Sequence, residues 1–278
     1  MSSPLLKYYI GDGKLLRSSN FSTSNLPDGK ILYEVIRVID GVPIFLEEHI
    51  SRLLTSVIES KSTSTIDRAT IAKTLHLLIS QNKLSIGNIR FQIIVSDSTN
   101  MFFAWIVPHK YPSRELYEMG VKTETINIER INPNIKAFDS KLKDQLDEIR
   151  KQNNLYELLL IDGNMNVTEG SKSNIFFIKG TTLYSPPLNQ VLPGITRKMI
   201  IKIAKENDIE FVEKVIKLND LNSFASVFLS GTSPKILPIN RINNHTYQTK
   251  NDIMSLISKS YNKTLDEYVT SFKWSNYE

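Results

Sequence analysis

Cysteine is missing from all 278 residues, and that single absence removes disulfides, thiolate metal sites and cysteine nucleophiles together. Long apolar runs are missing too: nothing approaches the roughly 20 consecutive apolar residues that span a bilayer. The opening stretch, MSSPLLKYYIGDGK, has neither the charged start nor the apolar core of a signal peptide, so a cytoplasmic protein is expected. Basic runs interleaved with aromatics are also lacking. The formal charge of +5 and the pI near 9.1 come from scattered lysines, which read as a lysine-rich surface and not as a nucleic-acid stripe. A basic pocket for an anionic ligand is compatible with that surface. There is no internal repeat and no low-complexity segment; the polar stretch SKSTSTIDR reads as a loop and helix cap.

What is present is enough to build cores: 41% hydrophobic residues, 9% aromatics and charges of both signs, the make-up of an ordinary globular protein. The length favours two modest domains. From Ile31 to Val38 the run ILYEVIRV is β-branched and partly alternating, and Asp40-Gly41 turns it toward a second apolar run, VPIFL, predicting a hairpin. In EEHISRLLTSVIES, Ile50, Leu53, Leu54, Val57 and Ile58 recur at helical spacing, so a helix is predicted from about Glu47. A second helix is predicted over about Ile66 to Asn82, then two strands, NIRFQIIVS and NMFFAWIVP. Residues 1–110 thus read as a small α+β domain. HKYPSRELYEMG shows no period and reads as a connection at 111–120, after which residues 121–278 form a larger domain richer in strands than helices. Its predicted elements include a helix from about Ser140 to Asn153 and another from Thr196 to Asn207.

Five positions could carry chemistry. Lys136, in NPNIKAFDSK, ends a strand-like run, so its amine could turn into a cleft; a lysine desolvated there loses proton affinity and becomes a nucleophile toward an aldehyde. A solvated surface lysine is the alternative. Glu169, in NVTEGSKSN, reads as a turn or cap, or as a carboxylate paired with a pyridinium nitrogen. In LPGITRKMI, Ile195 and Thr196 open a helix whose exposed N–H groups suit a phosphate, though a glycine turn with a threonine cap fits equally. Ser230, Gly231 and Thr232 of SGTSPK could bring amides and a hydroxyl to the same anion, or form a plain turn. Arg52 lies beside the apolar stripe of the first helix, as a snorkelling surface arginine or as a phosphate partner.

Read in order, YEVIRVIDGVPIFLEEHISRL, NIKAF, YELLLIDGNMNVTEGSKSN, LYSPPLNQVLPGITR and LSGTSPKILPI resemble the successive landmarks of class IV (branched-chain and D-amino-acid aminotransferase, aminodeoxychorismate lyase) pyridoxal-phosphate enzymes. The resemblance runs from about residue 30 to residue 240, and EGSKSN followed about two dozen positions later by LPGITR is its most specific part. It implies an α+β fold of two domains, a small α/β sandwich followed by a larger β-rich domain, with pyridoxal 5'-phosphate between them in a homodimer. It further implies Lys136 as the lysine bound to the cofactor and as proton shuttle, Glu169 at the ring nitrogen, Leu192 against the ring, Glu157 near the lysine and the cofactor, and Arg52, Ile195, Thr196, Gly231 and Thr232 around the phosphate. Tyr33 matches the strand position facing the substrate, and no metal is implied.

The departures concern the substrate. Family members that clamp a carboxylate often carry an Arg-Gly pair after the strand that here reads IRFQIIV, whereas this chain continues Ser96-Asp97. Tyr33 and Arg90 are then the candidates for holding a carboxylate, although Arg90 equally reads as a strand residue facing solvent. Val35 in YEV resembles the D-amino-acid aminotransferases. The expected activity is transfer of an amino group from an amino acid or amine, with aminodeoxychorismate lyase as the alternative. A non-enzymatic binding protein is disfavoured by Lys136 and Glu169 occurring together.

Overall fold

The computed structural model describes residues 3–62, 66–96 and 100–277. They form two compact units. The first comprises residues 1–110, 135–138 and 265–278, and the second comprises 111–134 and 139–264. Residues 135–138 and 265–278, expected with the C-terminal domain, therefore cluster with the first unit.

In chain order the first unit begins with β1 (Tyr8–Gly11), β2 (Lys14–Arg17), β3 (Lys30–Ile39) and β4 (Val42–Pro43), continues through α1 (Leu46–Glu59) and α2 (Arg68–Asn82), and returns as β5 (Gly87–Val95) and β6 (Asn100–Val107). The strands make one antiparallel sheet in the order β2-β1-β6-β5-β3-β4. The predicted hairpin is real but its second strand is short: VPIFL pairs only through Val42 and Pro43, because Phe45 adopts a left-handed conformation (φ 54°) and turns the chain into α1. Leu32, Ile36 and Val38 of β3, Ile89, Phe91 and Ile93 of β5, and Ile50, Leu53 and Val57 of α1 share one core. Alternation on a strand sends the intervening residues to the opposite face, where Tyr9, Phe103 and Trp105 make a separate apolar cluster. The C-terminal segment is tied to the start of α1: Tyr268 donates its hydroxyl to Glu47 at 2.8 Å and accepts from the Leu46 amide at 3.0 Å.

The second unit opens with α3 (Arg114–Met119), a short helix capped by Ser113 where the sequence pattern shows no period. β7 (Val121–Asn127), α4 (Ser140–Gln152), β8 (Glu157–Ile161), β9 (Asn166–Gly170), β10 (Asn174–Lys179) and β11 (Thr182–Ser185) follow. After α5 (Ile195–Glu206) come β12 (Phe211–Glu213), β13 (Ile216–Lys217), β14 (Ser226–Gly231), β15 (Lys235–Ile242), β16 (His245–Thr246) and α6 (Asp252–Ser271), whose residues from Leu265 belong to the first unit. The sheet runs β12-β11-β10-β14-β15-β7-β8-β9-β13, with β16 beside β15. β7 pairs in parallel with β8 and with β15; β8, ELLLI, is buried along its whole length and densely apolar, since a strand covered on both faces needs no polar side. The expected strand-rich α+β unit is what forms.

One residue breaks the pattern of β3. Glu34 has the parity of Leu32 and Ile36, so its carboxylate enters the core between sheet and α1, fully buried. An unpaired charge there would be costly. Arg52 answers it from α1 with Nε on Oε1 at 2.6 Å and Nη2 on Oε2 at 2.7 Å, and His49 donates from Nδ1 at 2.8 Å. Burial by itself raises the proton affinity of Glu34, but the attraction of Arg52 and the hydrogen bonds from Arg52 and His49 outweigh it and hold the carboxyl at about 2. Burial holds His49 below its usual value, against the opposing pull of Glu34, so it stays neutral. Because the native carboxyl titrates below its unfolded value, its contribution is complete above about pH 4.5 and is lost as pH falls toward 2. We expect Glu34→Ala to destabilise the protein by about 3–5 kcal/mol, the cost of leaving a buried partner charge unmatched. Acid unfolding of the parent should steepen between about pH 4.5 and 2 and flatten in Glu34→Gln; superimposable chemical-denaturation curves over that range would contradict the role.

Candidate active site

In the first unit the edge of β3 holds the short segment that contains Lys136. Tyr33 N–H donates to the Lys136 carbonyl at 3.0 Å, Phe138 N–H donates to the Ile31 carbonyl at 2.9 Å, and Leu32 bridges Ala137. Main-chain pairing thus sets the lysine beside Tyr33, its Nζ 4.9 Å from the ring centre. Register puts Tyr33 opposite Gln92, and Val35 opposite Arg90 opposite Trp105, all on the sheet face turned away from the helices. Arg90 does not face solvent: it is 7% exposed, with its guanidinium carbon 4.3 Å from the ring centres of both Tyr33 and Phe138 and 5.7 Å from that of Trp105. Its Nε donates to Gln92 Oε1 at 2.8 Å. Arg90 Nη2 and Gln92 Nε2 are buried without an acceptor among the described residues. Desolvation draws the guanidinium down to about 10, so it keeps its charge at neutral pH. Two unmatched N–H donors and a cation on one buried face favour an anionic acceptor. Ser96 follows β5 directly, while Asp97 lies outside the described residues.

Arg52, expected at a phosphate, is not a free surface arginine: its Nε and Nη2 are engaged by Glu34. Glu34, His49 and Gln92 were not found by sequence reasoning. A signal for the first two exists: a carboxylate at an apolar parity of a strand, followed by a helix with His and Arg three residues apart.

In the second unit Glu169 is buried near the end of β9. Arg130 Nη1 donates to its Oε1 at 2.7 Å, and the Leu192 amide donates to Oε2 at 3.0 Å. Asn174 Nδ2 lies 3.4 Å from Oε2 and donates more closely, at 2.9 Å, to the Leu192 carbonyl. Leu192, expected to pack its side chain against a ring, is also held through its backbone by Glu169 and Asn174. Glu157 is also buried: Ser171 donates to its Oε1, Ser173 donates to Oε2 at 3.3 Å, and burial pushes the carboxyl up. Those serines belong to the turn after Glu169, so Glu157 holds the SKS turn in place. Gly170 is required there, since a Cβ would meet Ser173 Oγ at 2.3 Å. Arg130 carried no sequence signal, because only the folded chain brings it to Glu169, whereas Asn174 closes the EGSKSN motif without having been singled out.

The start of α5 has no side-chain cap, which leaves its first N–H groups for an outside acceptor. Thr196 is buried there, its hydroxyl 3.4 Å from that of Tyr261. α5 packs on β14, whose Ser230 hydroxyl is buried with no partner among the described residues, just before Gly231 and Thr232. Within this unit, uncapped amides, an orphan hydroxyl and a buried carboxylate suit a phosphorylated ligand with a basic ring nitrogen; in the first unit, an amine beside an aromatic face suits an aldehyde.

The family model of amino-transferase class IV matches residues 31–242. The chain belongs to the class IV aminotransferases, a family of pyridoxal-phosphate-dependent enzymes, and its function is that of an aminotransferase. It is 26% identical to the D-alanine aminotransferase of Bacillus licheniformis over 78% of this chain and 81% of that one. Its fold is similar to that of the branched-chain amino acid aminotransferase of Escherichia coli, with a TM-score of 0.83, 23% identity and coverage of 94% and 95% of the two chains. A structure from Legionella pneumophila, described as a candidate 4-amino-4-deoxychorismate lyase, shares the fold with a TM-score of 0.78, 19% identity and coverage of 87% and 97%.

Gly194, the residue before α5, has a Cβ position only 1.9 Å from Asn174 Oδ1. Gly194→Ala should therefore force Asn174 off the Leu192 carbonyl and cost about 1–3 kcal/mol, the usual range for overpacking a filled site. A thermal unfolding midpoint equal to that of the parent would show that Asn174 moves aside freely.

Proposed function

We propose that the chain is a pyridoxal 5'-phosphate-dependent aminotransferase in which Lys136 holds the cofactor aldehyde and then moves a proton between the substrate α-carbon and the cofactor. When bound, the cofactor supplies the electron sink that stabilises a carbanion at that carbon. The observation that carries the reading is the main-chain pairing of the Lys136 segment to β3, inside the span matched by the family model. Glu169 would pair with the ring nitrogen, and Ile195, Thr196, Gly231, Thr232 and Arg52 would hold the phosphate, with Leu192 at the ring and Glu157 steadying the SKS turn. The absence of side-chain capping at α5 and the unmatched Ser230 hydroxyl support that assignment.

For the substrate we propose an amino acid whose carboxylate meets Arg90 beside Tyr33. The support is the buried guanidinium with an unmatched Nη2 and the neighbouring Gln92 Nε2. Poor activity on leucine and valine follows from the sequence at Ser96-Asp97. A homodimer in the cytoplasm accompanies this reading on family grounds; among the described residues no helix is long and apolar enough to cross a membrane.

Lys136→Ala should abolish the visible absorbance of cofactor-loaded protein and the borohydride-stable adduct, and should lower turnover by several orders of magnitude, since nucleophile and proton shuttle vanish together. Retention of both would refute the assignment. Purified enzyme offered L- and D-amino acids with 2-oxoglutarate or pyruvate, and separately aminodeoxychorismate, should exchange amino groups without releasing 4-aminobenzoate. Fast 4-aminobenzoate release with negligible transfer would replace transferase by lyase, and efficient turnover of L-leucine or L-valine would refute the substrate inference. Arg90→Met should raise KM for amino acids far more than for amines lacking a carboxylate; equal changes would remove Arg90 from the substrate.

A further inference from the structure

Glu169 is not held as a carboxylate serving a ring nitrogen alone would need to be. One oxygen accepts the Leu192 amide, a neutral donor, and the other is taken by a full cation, Arg130, at 2.7 Å. The carboxylate side chain is 3% exposed and the arginine 25%, so the pair lies at the margin of the interior, where Coulomb attraction is only partly screened. Arg130 comes from the irregular stretch between β7 and α4. Glu169 also has the Leu192 amide at 3.0 Å and Asn174 Nδ2 at 3.4 Å as donors. A cation in this place changes one thing beyond geometry: it stabilises the ionised carboxylate relative to the acid.

We propose that Arg130 is a positioning residue that decides on which side of a Glu169–ring-nitrogen hydrogen bond the proton resides. The inference rests on the functional reading above and deepens it at the same site. A carboxylate facing a pyridine nitrogen shares one proton, and two arrangements have the same number of protons: carboxylate with pyridinium, or carboxylic acid with neutral pyridine. In a partly buried site the neutral arrangement gains because it avoids two desolvated charges. The guanidinium reverses that preference, since it attracts the carboxylate and has no such attraction for the acid. With Arg130 present the proton stays on nitrogen; without it the proton passes to a Glu169 oxygen, the ion pair collapses to a neutral pair, and nothing else is gained or lost. The Leu192 amide, with Asn174 Nδ2 at 3.4 Å, still holds the carboxylate, so replacing Arg130 alters charge more than position.

The test loads the parent, Arg130→Met and Arg130→Lys with cofactor labelled with nitrogen-15 in the ring and reads the nitrogen chemical shift. The parent should show a protonated nitrogen, Arg130→Met a predominantly unprotonated one, and Arg130→Lys a value close to the parent, because lysine restores charge without the guanidinium geometry. A purely structural arginine would alter cofactor affinity or thermal stability and leave the shift unmoved, and that result overturns the proposal. So would equal displacement of the shift in the methionine and lysine variants. If Arg130→Met does not fold, Arg130→Gln replaces it with the same expected shift. Failure of the parent to form a borohydride-stable bond through Lys136 would instead strike the functional reading itself, and is scored by mass spectrometry before any nitrogen spectrum is taken.

Discussion

The two-residue period of β3 is the constraint on which the first unit depends. One set of side chains, Leu32, Glu34, Ile36 and Val38, faces the helices; the other, beginning with Tyr33 and Val35, faces away. Register with β5 extends that division to Arg90 and Gln92, and the edge of β3 receives the Lys136 segment. Since the period is two, a slip of one residue would carry Tyr33 into the core and Glu34 out of it. The buried ion pair helps prevent this slip, because Glu34 finds Arg52 and His49 in only one register. A charged network in a core is weak evidence of stability but a credible source of uniqueness.

The second unit handles charge differently. Glu169 and Glu157 are both buried, yet one is matched by a cation and the other by hydroxyls. Burial pushes Glu157 toward protonation, against the opposing hydrogen bond from Ser171. Neighbouring strands thus present two carboxyl groups of unlike character. The loop that includes Leu192 is locked to both Glu169 and Asn174 through its backbone, so the start of α5 is placed by main-chain geometry and tolerates little added volume at Gly194.

The unmatched donors give the two faces their chemical meaning. Interiors satisfy nearly all buried polar groups; among the exceptions in the described residues, which also include Ser226 and Asn240, Arg90 and Gln92 lie next to Tyr33 and Ser230 next to Gly231.

Much of the fold was legible because hydrophobic period is a local property. The helices at Leu46–Glu59 and Ser140–Gln152, the strands flanking them, and the order of landmarks from YEV to SGTSPK follow from residues near one another in the chain. Short elements were not, since α3 has too few residues to show a period and β4 ends where Phe45 adopts a left-handed backbone. The residue types suited to an amine, a ring nitrogen and a phosphate were likewise visible as motifs. Their partners were not. Arg130 stands 39 positions from Glu169, Glu34 stands 18 from Arg52, and Arg90, which equally read as a strand residue facing solvent, is covered by its neighbours' rings. A sequence specifies which groups can ionise, but whether a buried charge is matched, and by what, depends on atoms brought within about 3 Å by the whole chain. Only the tertiary structure decides that.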